Sequence, residues 1–177
     1  MDETTLYFAY GSNINLDQMA YRCPEAEVVG PVTLDDYVLL FRGRRAGNGV
    51  ATIAPQEGEQ VQGLLWRITP GCEQALNRYE GYPSLYTKET LTVRDRQGNS
   101  FQVMAYIMSE RYREPAIPSS FYYNGIRDGL RQNGMPTAPL RQAWERVNRE
   151  VHARTAHMNR LYAEHTKGKK RRDGHER

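Results

Sequence analysis

Residues 7–13 read Tyr-Phe-Ala-Tyr-Gly-Ser-Asn, an aromatic strand end that runs directly into three small residues. Gly11 has no Cβ, so the backbone can turn there and a ligand can approach it closely. Ser12 and Asn13 can cap a helix that follows over residues 15–23. A strand, a small-residue loop and a helix N-terminus form an anion site when their free N–H groups point outward. The alternative at this stage is an ordinary strand-to-helix turn that binds nothing.

The composition indicates a folded protein of one domain with a substantial core. The chain has 177 residues, of which 39% are hydrophobic and 25% charged, values that disfavour disordered and membrane proteins. No apolar run approaches the length of a membrane-spanning helix, and the acidic N-terminus does not resemble a signal peptide. We therefore expect a cytoplasmic protein with no membrane partner. Cys23 and Cys72 are too few for a disulfide scaffold, and each lies on the apolar face of a predicted helix, so we expect two core thiols.

The positive charge is concentrated at the C-terminal end. The net charge is +3, and residues 167–172 read Lys-Gly-Lys-Lys-Arg-Arg. Such a tail can contact nucleic acid or an acidic surface, or it can be a solvated end of the chain. Because no aromatic residues interleave with these charges, as single-strand binding would require, we expect no nucleic-acid partner and a flexible tail.

The pattern of elements predicts an α+β fold with a mostly antiparallel or mixed sheet, and it leaves closure into a barrel open. Few strands are joined by helical crossovers, which disfavours a doubly wound parallel sheet. The periodicity predicts strands over residues 5–9, 32–41, 50–54, 61–68, 86–94 and 101–108. It predicts helices over residues 15–23, from Pro70 to the stop at Gly81, from Ser119 to the stop at Gly134, and from 140 to about 164.

The second informative segment, residues 77–83, places an acid where a helix should end. The macrodipole is negative at a helix C-terminus, which disfavours the carboxylate of Glu80. Tyr79, Tyr82 and Tyr86 can surround it with surface of low polarity, and both effects raise a carboxyl pKa. Such a glutamate can take and return a proton near neutral pH. The structural alternative is a solvated glutamate at the end of a helix.

Three other kinds of chemistry are disfavoured by spacing. His152, His157 and His165 do not share one helical face, so they do not form a metal site. The glycine-rich loop over residues 43–49 lacks the pattern of a phosphate-binding loop. No Gly-x-Ser-x-Gly elbow surrounds Ser12, which argues against a serine hydrolase.

Taken in order, these segments resemble the γ-glutamylcyclotransferase family. The similar segments are residues 6–14, 49–53, 61–67, 79–82, 105–108, 118–122 and 133–136. The resemblance covers roughly residues 5–137 and implies a small mixed or antiparallel β-barrel flanked by helices. The final helix lies outside it and would be an addition. We therefore expect a γ-glutamylcyclotransferase-like domain over residues 1–138, a helix packed on it over 139–165, and a basic tail over 166–177.

The resemblance also implies a reaction and a set of site residues. A γ-glutamyl amide cyclises to 5-oxoproline and releases a free amino acid or amine, with no metal and no organic cofactor. Glu80 matches the family's catalytic glutamate, and Tyr122 matches a tyrosine that contacts substrate. The signature loop would bind the substrate through Tyr7, Phe8, Ala9, Tyr10, Gly11, Ser12 and Asn13.

Several alternatives remain open from the sequence. The leaving group could be an amino acid, a γ-glutamylated amine or a polyamine, and Arg42, Arg44 and Arg45 could meet an acidic one or lie in a solvated loop. A protein of a different class would be a non-catalytic binding module on the same fold. The final helix could cover the barrel or form the contact of a homodimer.

Overall fold

The computed structural model describes residues 3–44 and 47–173. Its central element is a closed barrel of five strands. Within these residues the strands are β1 (Thr5–Ala9), β2 (Glu27–Gly43), β3 (Val50–Ile68), β4 (Tyr86–Arg94), β5 (Ser100–Met108) and β6 (Glu114–Pro115). The order is β3-β1-β5-β4-β2, and β2 pairs back onto β3 to close the barrel, with β6 added beside β2. Only β1 and β5 are parallel among the paired strands described. The predicted α+β class and mixed barrel are confirmed.

The first strand, β1, holds residues 7–9 inside the barrel wall. In β1, Phe8 lies opposite Leu65 of β3, and Tyr7 lies opposite Met104 of β5. Tyr7, Phe8 and Ala9 are all buried. A strand paired on both edges and buried on both faces is held firmly. The turn that follows β1 is therefore fixed relative to the rest of the barrel.

The two strands predicted over residues 50–54 and 61–68 are a single long strand, so that part of the prediction is wrong. β2 pairs with β3 on both sides of a register shift between Asp35 and Tyr37. Asp36 has a φ of 60°, and its carboxylate accepts the N–H of Gly58 at 3.0 Å. The polar residues between the two predicted strands form an exposed bulge within extended chain. The polar stretch between the two predicted strands therefore marks a bulge, which interrupts the pairing without ending the strand.

The helices are α1 (Leu16–Arg22), α2 (Pro70–Glu80), α3 (Ser120–Gln132) and α4 (Ala138–Asp173). The predicted starts of α2 and α3 are confirmed: Thr69 caps α2 by accepting the N–H of Cys72 at 3.2 Å, and Ser119 caps α3 by accepting the N–H of Tyr122 at 3.1 Å. Gly81 ends α2 with a φ of 65°, as predicted. Thr69 and Gly81 therefore fix the two ends of α2, and Gly81 fixes the position of Glu80 as its last residue.

The N-cap of α1 is Asn15, and the prediction of Ser12 and Asn13 as caps is wrong. Residues Ser12–Ile14 form a short 3-10 turn instead, and the Asn15 side chain accepts the N–H of Gln18 at 3.0 Å. Ser12 and Asn13 cannot cap α1 because their side chains bind other side chains around Glu80. Asn15 also donates to the carbonyl of Gly125 at 2.9 Å and so ties α1 to α3.

Replacing Asn15 by alanine should lower the free energy of unfolding by about 2 kcal/mol, because the cap is lost and the Gly125 carbonyl loses its donor. Urea unfolding followed by circular dichroism measures the change. Asn159→Ala is the matched control, since Asn159 is exposed on α4 and should leave stability within about 0.5 kcal/mol. Equal stability of the two variants would contradict the capping role.

The last helix is longer than predicted and only its first half is packed. Leu140, Ala143 and Val147 are buried against the barrel, and Arg42 of β2 binds Glu150 at 2.9 Å. The helix continues to Asp173, so the prediction of an end near residue 164 is wrong, and the first part of the basic tail is helical. Lysine and arginine favour helix, and positive charge near a C-terminus interacts well with the macrodipole. None of the helices described is both long and apolar enough to cross a membrane.

Both cysteines are free and buried, as predicted. The Cys23 thiol lies 3.5 Å from the carbonyl oxygen of Cys72, between α1 and α2. Burial raises the pKa of the Cys23 thiol to about 12, so the group stays protonated and packs as a small apolar residue.

Candidate active site

A cavity of about 190 Å³ opens where the turn after β1 faces the end of α2. A single water occupies only about 10–15 Å³ on this measure, so the cavity has room for a small molecule. Its walls are mostly aromatic, with polar groups at one side. It is lined by Tyr7, Tyr10, Gly11, Ser12, Asn13, Val50, Ala51, Tyr79, Glu80, Leu85, Tyr86, Tyr106 and Tyr122.

The turn after β1 lines this cavity through Tyr10, Gly11, Ser12 and Asn13. Its own hydrogen bonds begin with the N–H of Ile14, which donates to the Gly11 carbonyl at 3.1 Å. The N–H groups before Ile14 therefore have no partner within the turn. A Cβ at Gly11 would lie 3.2 Å from both the Ala51 Cβ and the Tyr122 hydroxyl oxygen, so a larger residue would crowd the cavity. The Trp66 indole donates to the Asn13 carbonyl at 2.9 Å and fixes the far end of the turn.

Among the residues that the structure describes, Glu80 supplies the one carboxyl group that lines the cavity, and it is the last residue of α2. Asn13 Nδ2 donates to Glu80 Oε1 at 3.2 Å. Withdrawal from solvent raises the pKa of Glu80 to about 7, while the nearby Arg22 cation lowers it. The predicted rise in this pKa is confirmed. A carboxyl group with this pKa is present in both protonation states near neutral pH, as acid–base catalysis requires.

Tyrosine hydroxyls surround the carboxyl group from several elements. Burial raises the pKa values of Tyr7, Tyr10, Tyr86, Tyr106 and Tyr122 above the ordinary value of 10, so these phenols stay protonated. Asn13 donates to the Tyr7 hydroxyl oxygen at 2.9 Å, which leaves the Tyr7 proton free to donate elsewhere. The Tyr10 hydroxyl donates to the Tyr106 carbonyl oxygen.

Tyr122 connects α3 to the cavity wall. Its hydroxyl oxygen accepts the N–H of Ala51 at 3.0 Å, and the Tyr86 hydroxyl donates to the carbonyl of the same residue at 2.6 Å. The two tyrosines therefore bind the N–H and the C=O of one residue of β3. The Tyr122 proton is not used in its bond with Ala51 and can point to a ligand.

Most of the predicted site residues come together, and the sequence missed several others. Phe8 and Ala9 do not line the cavity: Phe8 is fully buried in the core, and both residues lie against Gly63. The prediction that Tyr82 surrounds Glu80 is wrong, because Tyr82 is 40% exposed and packs against Lys88 and Tyr106. The missed lining residues are Val50, Ala51, Leu85 and Tyr106. Alternation along the strands identifies inward residues, but it cannot say which of them reach one end of a barrel.

The arginines near the site contact different partners. Arg42 binds Glu150 of α4, and the Arg44 guanidinium lies 4.7 Å from the centre of the Tyr112 ring. Arg45 lies outside the described residues. Arg22, which the sequence did not single out, donates to Asn13 Oδ1 at 2.6 Å. No sequence signal marks it, because its contact is formed only when the last turn of α1 folds back beside the loop.

The fold is a small mixed barrel in which one carboxyl group and the turn after β1 line the same cavity. A family model described as gamma-glutamyl cyclotransferase, AIG2-like, matches residues 7–124. A mouse gamma-glutamylcyclotransferase is 34% identical over 141 residues, which cover 76% of this chain and 74% of the mouse protein. The human gamma-glutamylcyclotransferase is 32% identical over 143 residues, with the same coverage. The chain therefore belongs to the gamma-glutamyl cyclotransferase, AIG2-like family.

Solved structures agree with this assignment. A structure of a gamma-glutamyl cyclotransferase superposes with a TM-score of 0.72 and 28% identity, covering 80% of this chain and 86% of the other. YkqA from Bacillus subtilis superposes with a TM-score of 0.68 at 21% identity, covering 82% of this chain and 55% of the other. At that identity the second likeness shows a shared fold alone.

Proposed function

We propose that the protein is a γ-glutamylcyclotransferase, which converts a γ-glutamyl amino acid or amine to 5-oxoproline and releases the free amino acid or amine. The observation that carries this proposal is the position of the Glu80 carboxyl group, which lines the same cavity as the turn after β1. Burial raises the pKa of this group to about 7, which supports a role in proton transfer. The mouse and human relatives carry the name of this enzyme. A carboxyl group that exchanges protons and a fixed oxygen-binding turn are what the cyclisation needs.

The nucleophile of this reaction belongs to the substrate. The α-amine attacks the γ-carbonyl carbon of the same glutamyl group, a C–N bond forms, and a five-membered ring closes. The cavity favours the folded conformation in which these two groups meet, which replaces an intermolecular encounter. An α-amino group has a pKa of about 7.7–8.0, so it must first lose a proton. Because the pKa of Glu80 lies within about one unit of this value, the ionised Glu80 carboxylate takes that proton at little cost.

The second half of the reaction breaks the original amide bond. Glu80, now protonated, gives its proton to the leaving nitrogen as the C–N bond to the amino acid or amine breaks, and its carboxylate is restored. The ring nitrogen still carries one proton more than a neutral lactam, so the restored carboxylate takes that second proton and passes it to the released amine, which leaves as an ammonium. The backbone N–H groups of Tyr10, Gly11 and Ser12 hold substrate oxygens, including the developing oxyanion. Ser12 contributes its N–H and is not a nucleophile. The hydroxyls of Tyr7 and Tyr122 donate to the substrate from the cavity walls.

A substrate panel tests the proposed activity and identifies the leaving group. The purified protein is incubated with γ-glutamyl dipeptides, a γ-glutamyl tripeptide and γ-glutamyl amines, and 5-oxoproline and the released amine are quantified by mass spectrometry. We expect the two products in equal amounts from at least one substrate class. α-Glutamyl dipeptides are the matched control, because they have no γ-amide for the α-amine to attack. A folded protein that forms no 5-oxoproline from any member of the panel would contradict the proposal.

Tyr122→Phe is expected to raise KM roughly 3- to 10-fold while kcat changes less, because one hydrogen bond to substrate is lost. The variant also leaves the Ala51 N–H without its acceptor at 3.0 Å, which should lower the free energy of unfolding by about 1–3 kcal/mol. Steady-state kinetics and urea unfolding measure the two effects. Tyr21→Phe is the control, since Tyr21 is 91% exposed. A Tyr122→Phe variant with the wild-type KM would contradict a substrate contact.

We also propose which parts of the chain the activity needs, what its partner is and where it takes place. Residues 1–138 carry it, the packed first half of α4 supports the barrel, and the basic tail over 166–177 is not required for turnover. The partner is a small γ-glutamyl compound, and the protein acts in the cytoplasm. A homodimer through the final helix stays a prediction, which light scattering of the full chain would test.

A further inference from the structure

Arg22 is a charged residue beside the cavity that is not among its lining residues. It is the last residue of α1, and its guanidinium lies 3.7 Å from the centre of the Tyr79 ring. Nη1 donates to Asn13 Oδ1 at 2.6 Å and to Ser12 Oγ at 3.3 Å. The side chain is therefore held by stacking and by hydrogen bonds, between α2 and the turn after β1.

These contacts determine which way the Asn13 amide points. A guanidinium group can only donate hydrogen bonds, so Asn13 must turn its oxygen toward Arg22. The Asn13 nitrogen then faces the other way and donates to Tyr7 Oη at 2.9 Å and to Glu80 Oε1 at 3.2 Å. In the opposite orientation the amide oxygen would face the Glu80 carboxylate, an arrangement that repels when Glu80 is ionised. Asn13 is 2% exposed, so water has little access to replace these partners.

We propose that Arg22 is a positioning residue for the proposed cyclisation, which orients the Asn13 amide and through it the Glu80 carboxyl group. The inference rests on the function proposed above for Glu80. Arg22 itself does not touch the substrate. With one carboxylate oxygen bound to Asn13, the other oxygen of Glu80 is left to face the substrate amine. With the Asn13 nitrogen bound to Tyr7 Oη, the Tyr7 proton is directed away from Asn13 and toward the cavity.

Arg22 also affects the charge of the site. It is the cation that lowers the pKa of Glu80 against the larger effect of burial. The groups that face Glu80 from β1, the turn after it, β4, β5 and α3 are protonated phenols: Tyr7, Tyr10, Tyr86, Tyr106 and Tyr122. On α2, the Tyr79 ring lies under Arg22 itself, and Lys88 of β4 is paired with Glu73 at 2.5 Å. Removing the charge of Arg22 should therefore raise the pKa of Glu80.

The test is the pH dependence of kcat/KM for wild type, Arg22→Met and Arg22→Gln, measured by 5-oxoproline release from the best substrate of the panel. Arg22→Met removes the charge and the donor, and we expect kcat to fall roughly 10- to 100-fold, because the reacting groups are misplaced. We expect KM to change less than about threefold. The acidic limb of the profile should move to higher pH in both variants, since the ionised form of Glu80 requires a higher pH. Arg22→Gln keeps an N–H donor and should retain more of kcat.

Two controls separate positioning from a general loss of charge or fold. Arg78→Met removes an exposed positive charge two residues from Glu80 and should leave the limb and kcat unchanged. In an Asn13→Ala background, Arg22→Met should have little further effect on kcat, because the residue through which Arg22 acts is gone. If Arg22→Met does not fold, the same measurements on Arg22→Gln decide the outcome.

The proposal is overturned if the acidic limb of the kcat/KM profile of Arg22→Met lies at the wild-type pH and its kcat is within twofold of wild type. Strictly additive losses in the Asn13→Ala background would overturn it as well. Glu80→Gln distinguishes this failure from that of the proposed function. If Glu80→Gln is inactive and the Arg22 variants behave as wild type, only the role of Arg22 is wrong. If Glu80→Gln retains the wild-type rate, the assigned role of Glu80 is wrong.

Discussion

Glu80→Gln lowers kcat about 10²- to 10⁴-fold in our expectation, the range that a positioned general acid–base group supplies. Glutamine keeps the shape of the side chain and can still bind Asn13, but it cannot accept the α-ammonium proton or return it to the leaving nitrogen. The rest of the cavity is unchanged, so KM should change far less than kcat. Steady-state release of 5-oxoproline from the preferred substrate measures both constants.

The matched control is Glu89→Gln, which makes the same chemical change at an exposed position of β4. It should retain the wild-type kcat and KM. A folded Glu80→Gln variant with the wild-type kcat would show that the proton is carried by another group. The neutral phenols around the cavity would then be the next candidates, of which Tyr7 is hydrogen-bonded to the same Asn13 amide.

The same substitution should increase stability at alkaline pH. Burial raises the pKa of Glu80 from 4.5 to about 7, so between these values the folded protein holds a proton that the unfolded chain has released. The stability that this proton contributes is complete below about pH 4.5 and is lost as the pH rises through 7. Glutamine has no proton to lose. Urea unfolding at pH 5 and pH 8 should therefore show that the free energy of unfolding of Glu80→Gln, relative to wild type, is higher at pH 8 than at pH 5. The same difference at both pH values would contradict the raised pKa of Glu80.

The parts of the fold that the sequence predicted are those with a local cause. Thr69 and Gly81 mark the ends of α2 through their own hydroxyl group and backbone freedom, and both ends were predicted correctly. The position of Glu80 followed from these ends. By contrast, the cap of α1 depended on where the Ser12 and Asn13 side chains found partners, 67 residues away in α2. Local propensity cannot contain that information.

The candidate site shows the same division. A turn with an acid opposite it could be predicted, because the turn follows a strand and the acid ends a helix. The arrangement of side chains that connects them could not, since Arg22 reaches Asn13 only after α1 packs beside α2. Tyr82 was predicted to surround Glu80 together with Tyr79 and Tyr86. The left-handed residue Gly81 turns the chain between Glu80 and Tyr82, and Tyr82 lies against Lys88 instead.

Gly63→Ala is expected to lower the free energy of unfolding by about 3 kcal/mol or more, because it overpacks the centre of the barrel. A Cβ at Gly63 would lie 2.2 Å from the Phe8 ring and 2.5 Å from the Ala9 carbonyl oxygen. Phe8 is fully buried, so its ring has nowhere to move without disturbing the core. The Ala9 carbonyl belongs to the backbone of β1, which leads into the turn of the site. Urea unfolding monitored by tryptophan fluorescence measures the loss.

Gly168→Ala provides the opposite case with the same chemical change. Gly168 is exposed in α4, and a Cβ there would meet no atom of the described residues within 4 Å. Alanine should stabilise the helix by about 0.5–1 kcal/mol, because glycine loses more backbone entropy on folding. The Gly63 substitution should also lower kcat in the fraction that stays folded, since a displaced β1 moves the N–H groups of the turn away from the substrate oxygens. If Gly63→Ala and Gly168→Ala have equal stability and equal kcat, then β1 is not the rigid support that aligns the turn with Glu80.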